Sequence, residues 1–456
     1  MDPEDGMKGK KKVLTGTMPV NLDWLQSAPI SKTAEDPTQT PAVGRRVPRC
    51  DGLPQVLGKV KYIEDLVFPE MLYAKVLRSA HPHARILRVD TSEAEAMPGV
   101  AATLTAQEIP VNLFGPHLQD QPVMAGEKVR HRGDGVAAVA AVSEQAAAEA
   151  LQKIKVTYEP LPAVFDPLEA MDEKAPRIHE PNSNVYSRWR VQKGDVEKAL
   201  ARAYLVLEER YTTQMVDHAY MEPHVAVALW DAASRLTVWS TLGRIFLVRA
   251  DLGRVLNMPI NRIRVASTQA GGCFGGKNEI TLEPILALLA RKTRKPVKGV
   301  MTREEEFTST TKRHPFVIDY RSGVDKSGRI LARRVRLVAD GGAYASWTDT
   351  TLGKATILCS GPYKIENFSA DGYAVYTNKT MTGAMRGFGA PQACFACESH
   401  MDSIAHRLGK DPLEIRLLNA FEEGSLSTTG QVLQSVAIKE TLIAAADRFG
   451  WKEWRR

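Results

Sequence analysis

The chain reads as an α+β protein with more than one core, on three observations. Of its 456 residues, 44% are hydrophobic and 25% charged, the balance of an ordinary globular chain long enough for two or more cores. Short apolar runs bounded by turn residues alternate with stretches of helical period. No fixed-period repeat and no long low-complexity tract interrupts that mixture, which sets repeat folds aside.

The elements follow in order. Residues 1–30 hold a basic run, Lys8 to Lys12, that reads as a solvated tail, and no apolar stretch of the kind a secretory signal or membrane anchor requires. Arg45 and Arg46 precede Pro48, Arg49 and Asp51 instead of an apolar segment, so they are not a twin-arginine signal. The Pro- and Thr-rich residues 37–48 form a link, and folded structure is expected from Arg49. Between 62 and 89, runs such as 72–77 followed by turn residues 79–83 predict strands, and 136–142 predicts another. Ser143 fits an N-cap for an Ala- and Glu-rich helix over 144–153, and a strand over 154–158 closes a mixed first domain near Pro162. Downstream, 205–211 and 225–230 predict strands and 245–256 a helix.

Charge and cysteine usage bound the partners. The net charge of +7, spread over 60 basic and 53 acidic residues with no long basic stripe, suits a basic enzyme or an anionic ligand better than nucleic acid. Five scattered cysteines, an odd number, argue against a disulfide framework and for a reducing compartment. The chain is expected in the cytoplasm, away from membranes and nucleic acid.

The chemistry is carried by glycines. A strand over 263–268 runs into Gln269-Ala270-Gly271-Gly272-Cys273-Phe274-Gly275-Gly276-Lys277, and a helix is predicted over 279–291. Glycines let the backbone turn sharply and approach a ligand closely, while free N–H groups at the loop and the helix start face an anion. A tight turn needing glycine only for positive φ is the plainer alternative, but four glycines within six residues exceed that need. Gly271 to Lys277 also match the first seven positions of a Walker A loop; Asn278 stands where Ser or Thr would hold magnesium, which makes nucleotide binding the weaker reading. A second loop, Gly383 to Gln392, precedes a helix over 393–408. Its Arg386 offers a planar, permanent cation, and Phe388 between two glycines can stack on a flat ring. Two such loops imply one large ligand.

Other constellations weigh less. His218, Glu222 and His224 lack the spacing that puts two histidines on one helical face for zinc and read as packing or surface residues. Cys394 and Cys397 fall inside the helix after the second loop and read as buried apolar residues. No four-cysteine iron–sulfur spacing occurs.

Gly271 to Lys277 and Arg386 to Gln392 resemble the two signature loops of the molybdopterin-binding subunits of the xanthine dehydrogenase and aldehyde oxidase family. Arg78 to Ile86, Tyr158 to Pro162, Gly194-Asp195-Val196 and Met221 to His224 resemble further family landmarks, in family order. The resemblance implies a linker-like 1–48, an aldehyde oxidase/xanthine dehydrogenase a/b hammerhead domain over 49–166 and the first molybdopterin-cofactor-binding domain over 167–456. A second cofactor domain, with the glutamate that serves as base, is expected on another chain. The cofactor is molybdenum-molybdopterin or its cytosine dinucleotide form, with iron–sulfur and FAD subunits as electron-carrying partners. Gly272, Phe274, Gly275, Gly276, Arg386 and Gly387 are implied as cofactor-binding residues, and Phe388 and Asn278 as lining the substrate pocket. Arg386 is implied to orient substrate, and no residue here is implied as a direct metal ligand. The resemblance implies oxidation of an aromatic heterocycle, purine-like compound or aldehyde with water as oxygen source. Two positions depart from the family pattern. Leu242 replaces a glutamine that hydrogen-bonds the metal's oxo group, and Asn278 replaces the glutamate of xanthine-oxidising members. These departures keep a noncatalytic or truncated scaffold as the alternative.

Overall fold

The computed structural model describes residues 48–455. The chain divides into two units, 1–61 and 62–456. The first is represented by 48–61, with one short helix, Gly52–Val56; the basic tail, the paired arginines and all of the link but Pro48 lie outside the described residues.

The second unit opens with β1 (Leu72–Arg78), β2 (Ala84–Asp90), β3 (Val100–Thr105), β4 (Gly135–Ala141), α1 (Glu144–Leu151) and β5 (Lys155–Pro160). The helix begins where Ser143 accepts the Ala146 N–H, the expected cap. β4 is buried at six of its seven positions, as a strand covered on both faces should be. Its side chains alternate between two cores. Ala138 and Ala140 join the largest apolar cluster, while Ala137 and Val139 pack with Ala150 of α1.

There follow β6 (Val185–Lys193), β7 (Leu205–Thr213), β8 (Val225–Trp230), β9 (Leu236–Ser240), α2 (Ile245–Val255), β10 (Ile263–Ala266), α3 (Glu283–Thr293) and β11 (Val297–Val300). Strands from both sequence regions share one seven-stranded sheet, in the order β10-β9-β8-β11-β1-β4-β3. The seam is the parallel pair β1 and β11, Leu72 opposite Val297. α3 covers the sheet and is buried continuously from Glu283 to Ala290, the signature of a helix inside a core instead of upon it.

That helix starts four residues later than its sequence pattern suggests. The Glu283 carboxylate accepts the N–H of Thr281 at 2.6 Å and the hydroxyl of Ser240 at 2.6 Å, holding 281 in a local turn that competes with the helix. Pro284 in the first turn then favours a start at that point. The first glycine loop therefore does not feed directly into a helix N-terminus.

The rest of the chain forms α4 (Arg303–Ser309), β12 (Phe316–Val324), β13 (Ile330–Gly342), α5 (Thr348–Leu358), β14 (Asn367–Tyr376), α6 (Ala390–Leu408) and, after a short helix Pro412–Asn419, α7 (Ile438–Phe449). A five-stranded sheet, β7-β12-β13-β14-β6, packs its apolar side chains against α5 and α6. Arg333 lies fully buried in that core without a carboxylate. Its guanidinium donates to Ser322 Oγ and the Ser360 carbonyl, both at 3.0 Å, and sits over the Tyr320 ring. Cys397 is buried beside it, but Cys394 is exposed, contrary to the sequence reading: three residues apart on α6, the two point to faces of different burial. Among the described residues, no helix is long and apolar enough to cross a membrane.

Candidate active site

The first glycine loop is held from below by a buried polar brace. Glu222 accepts the Gly271 N–H at 2.7 Å, and the Lys277 ammonium donates to the Glu222 carbonyl at 2.7 Å and its carboxylate at 3.2 Å. Lys277 is fully buried and also lies 4.5 Å from the centre of the Tyr220 ring. Burial pulls its ammonium pKa down, opposed by the Glu222 charge. The ammonium is thus consumed inside the protein, which removes the phosphate-reaching lysine that a nucleotide loop needs. Beneath, Tyr220 donates to Glu306 of α4 at 2.7 Å, and the His224 N–H and imidazole also reach that carboxylate. Burial alone would raise the Glu306 pKa; the His224 and Tyr220 contacts outweigh it and hold it at about 2.

The second loop rests on the strand-like segment 312–314. Lys312 accepts the Gly383 N–H at its carbonyl, 2.9 Å, and Arg313 donates to the Arg386 carbonyl at 2.9 Å. Gln392, in the first turn of α6, donates to the His314 carbonyl at 3.1 Å.

The two loops touch. The Arg386 N–H donates to the Phe274 carbonyl at 2.8 Å, and a Cβ on Gly275 would lie 2.7 Å from the Ala384 carbonyl oxygen. With φ at 105° as well, position 275 admits only glycine. His218 ties both loops: its Nε2 bonds the Ala384 carbonyl at 2.8 Å while its ring abuts Gly276. Phe274 and Phe388 each take a left-handed backbone, φ 49° and 55°, an uncommon state for large side chains that marks a locally constrained site. Phe274 is 48% exposed, Arg386 is exposed and Phe388 half-buried.

Of the residues singled out in the sequence, Phe274 and Gly275 meet the second loop at Arg386 and Ala384, with Gly387 and Phe388 following, whereas Gly272 and Gly276 pack against Tyr220 and His218. Asn278 sits beside Cys273 at the foot of the first loop, where a Cβ on Gly243 would come within 2.6 Å of its Oδ1. Leu242 is buried in the large core. The bracing residues His218, Tyr220, Glu222 and Arg313 escaped sequence reasoning as site residues. The histidine and carboxylate were tested only for zinc, and among the described residues no group of three or more metal-ligating side chains occurs.

One further carboxyl lies close by. Glu279 is 7% exposed; one oxygen accepts the Ser346 hydroxyl at 2.5 Å and the other has no partner. Burial raises its pKa to about 7.

The backbone fits an anionic, oxygen-rich ligand. The N–H groups of Gly272, Cys273, Phe274 and Gly275 donate to no acceptor among the described residues, which leaves four consecutive donors for a ligand. A groove of about 1100 Å³ formed by α6, the Pro412–Asn419 helix and α7, lined by His406, Asp411, Phe449 and Trp451, includes none of these residues.

Two loops meeting backbone to backbone, each with constrained aromatics and one with free amides, define a scaffold for one large anionic cofactor. The sequence model of the molybdopterin cofactor-binding domain matches residues 178–420, and that of the aldehyde oxidase and xanthine dehydrogenase a/b hammerhead domain matches 57–162. The chain belongs to the molybdopterin-binding subunits of the xanthine dehydrogenase and aldehyde oxidase family. It is 39% identical over 408 residues to the nicotinate dehydrogenase large molybdopterin subunit of Eubacterium barkeri, covering 89% of this chain and 96% of that one. It is 42% identical over 372 residues to a probable xanthine dehydrogenase subunit of Bacillus subtilis, covering 81% of this chain and 50% of the other. Among solved structures, the aldehyde oxidoreductase of Desulfovibrio gigas superposes with a TM-score of 0.86 at 29% identity, covering 89% of this chain and 46% of that one. The quinoline 2-oxidoreductase of Pseudomonas putida 86 gives 0.86 at 29% identity, covering 90% and 55%. Apart from the Eubacterium barkeri protein, the chain spans about half the length of these relatives.

Proposed function

We propose that this chain forms one half of the molybdenum site of a multisubunit hydroxylase acting on an aromatic heterocycle, a purine-like compound or an aldehyde. A second molybdopterin-domain chain supplies the base and the rest of the cofactor contacts, and iron–sulfur and FAD subunits carry the electrons away. The observation that carries this reading is the contact between the two loops beside four free amides. The near-complete coverage of the Eubacterium barkeri protein supports the division between two chains.

When bound, the molybdenum cofactor, as molybdopterin or its cytosine dinucleotide form, supplies the two-electron oxidation with water as oxygen source. The chain's own residues do the rest. The amides from Gly272 to Gly275 hold the anionic edge of the cofactor, with Gly276 and Gly387 giving the backbone room to approach it. Arg386 has its N–H bonded to Phe274 and its carbonyl to Arg313, so its guanidinium extends from a backbone fixed on both sides, suited to orient a substrate. Phe388 packs on one face of a flat ring. Asn278 cannot supply the charge that a glutamate offers a purine, which disfavours xanthine. The hammerhead domain, 49–166, supplies strands to the sheet, and 167–456 carries both loops.

A noncatalytic scaffold is the second reading. Leu242, buried in the core, has no group to bond an oxo ligand. Molybdenum analysis of the chain affinity-purified from its host, with co-purifying polypeptides identified, separates the two. Near-stoichiometric metal with a partner bearing the second cofactor domain supports the hydroxylase; a metal-free, solitary chain supports the scaffold.

A further inference from the structure

Arg244 is an unusual cation. It stands at the N-cap of α2, whose first turn holds no acid, a position that the helix dipole disfavours for positive charge. It is exposed and, among the described residues, its guanidinium makes no ion pair or hydrogen bond; it lies over the Trp347 ring, 4.8 Å from the centroid. Trp347 in turn meets the Phe388 ring edge-on at 6.3 Å and the His117 ring at 5.3 Å, and its indole N–H is buried without an acceptor.

This cluster spans both loops. Gly243, next to Arg244, donates its N–H to the Lys277 carbonyl at 2.7 Å, while Phe388 belongs to the second loop. Arg244, Trp347 and Gly389 are the N-caps of α2, α5 and α6, so three helix starts add positive potential at one place. The nearby acids do not pair with Arg244: Glu279 accepts from Ser346 through one oxygen and leaves the other unpartnered, Asp120 accepts from Ala345 and Tyr376 through Oδ2 and leaves Oδ1 unpartnered, and Asp349 accepts from Trp189.

We propose that Arg244, Trp347 and Phe388 form a substrate-recognition wall that selects planar heteroaromatic carboxylates. Phe388 and Trp347 contact the ring, and Arg244, held by Trp347, takes the carboxylate. A guanidinium pairs with a carboxylate in a planar, two-bonded geometry that a neutral amide cannot reproduce. The inference rests on the hydroxylase reading and narrows its substrate class.

The test uses the cofactor-loaded complex from the host, with pyridine-3-carboxylate and pyridine-3-carboxamide as probes. Arg244→Gln should raise KM for the carboxylate and lower the carboxylate-to-carboxamide ratio of kcat/KM at least tenfold, with Arg244→Lys falling between. Calorimetric titration of the two probes, without electron acceptor, should show the same loss of preference in binding. A ratio within twofold of the unsubstituted complex in both measurements overturns the assignment. If the complex carries no molybdenum and turns over neither probe, the hydroxylase reading fails, and calorimetry still decides whether Arg244 recognises the carboxylate.

Discussion

The two glycine loops reach similar backbone shapes by opposite means. The first stands on buried charge: Lys277 against Glu222, with the ionised Glu306 two layers down. The second is held at its backbone by the Lys312 carbonyl and the Arg313 side chain and by the first turn of α6, and the carboxyl bonded to Ser346 beside Gly383, Glu279, is one that burial pushes toward neutrality. A buried pair contributes little net stability while both partners are present but costs much when one is removed. The second loop's own side chains form no such pair, although Lys312, on which it rests, is buried against Asp217 at 2.9 Å. The first loop should therefore be fragile to substitution of its own side chains and the second tolerant.

The largest effect should follow Glu222→Ala, which strands the Lys277 ammonium in the interior and should cost about 3–5 kcal/mol in urea unfolding. Adding Lys277→Met should recover much of that loss; a single variant as stable as the parent would break the contrast. Next comes Glu279→Gln. The folded-state pKa of about 7 exceeds the ordinary carboxylate value, so this carboxyl's contribution to stability is fully present below about pH 4.5 and is lost as pH rises toward 7. At 1.36 kcal/mol per unit, the amide should gain up to about 3 kcal/mol above pH 7 and nothing near pH 4, read from urea midpoints at the two extremes. Glu306 has the opposite sign: its depressed pKa contributes stability above the ordinary carboxylate range that is lost as pH falls toward 2.

Gly275→Ala should cost about 2 kcal/mol, from the positive φ and the collision with Ala384. It should part the two loops, so molybdenum content should fall more than stability does. The smallest change in stability belongs to Arg386→Ala, within about 0.5 kcal/mol for an exposed side chain, yet turnover of the assembled complex should be abolished. Normal turnover would remove Arg386 from the substrate site.

Much of the site was legible because its chemistry is main-chain chemistry. Glycine is the residue that permits close backbone approach, so Gly271 to Gly276 and Gly387 to Gly389 announce themselves in sequence. Strand 225–230 and the Ser143 cap were readable for similarly local reasons, a short continuous apolar run buried at its first four positions and a first-turn bond. The start of α3 was not, since the Glu283 side chain competes with the helix in a way no periodicity reports. Nor was Cys394, because two cysteines three apart on a helix share a face only in part.

The sequence by itself pointed to the class of ligand and to the two glycine loops, and it marked Leu242 and Asn278 as positions expected to depart from the family pattern. Only the tertiary structure decided that strands on both sides of residue 166 share a sheet, that His218 and Glu222 brace glycines far along the chain, and that Arg244 and Trp347 stand beside Phe388. Those facts depend on which distant segments come into hydrogen-bonding or van der Waals reach. Local pattern shows which face of an element is apolar, and packing alone selects what that face meets.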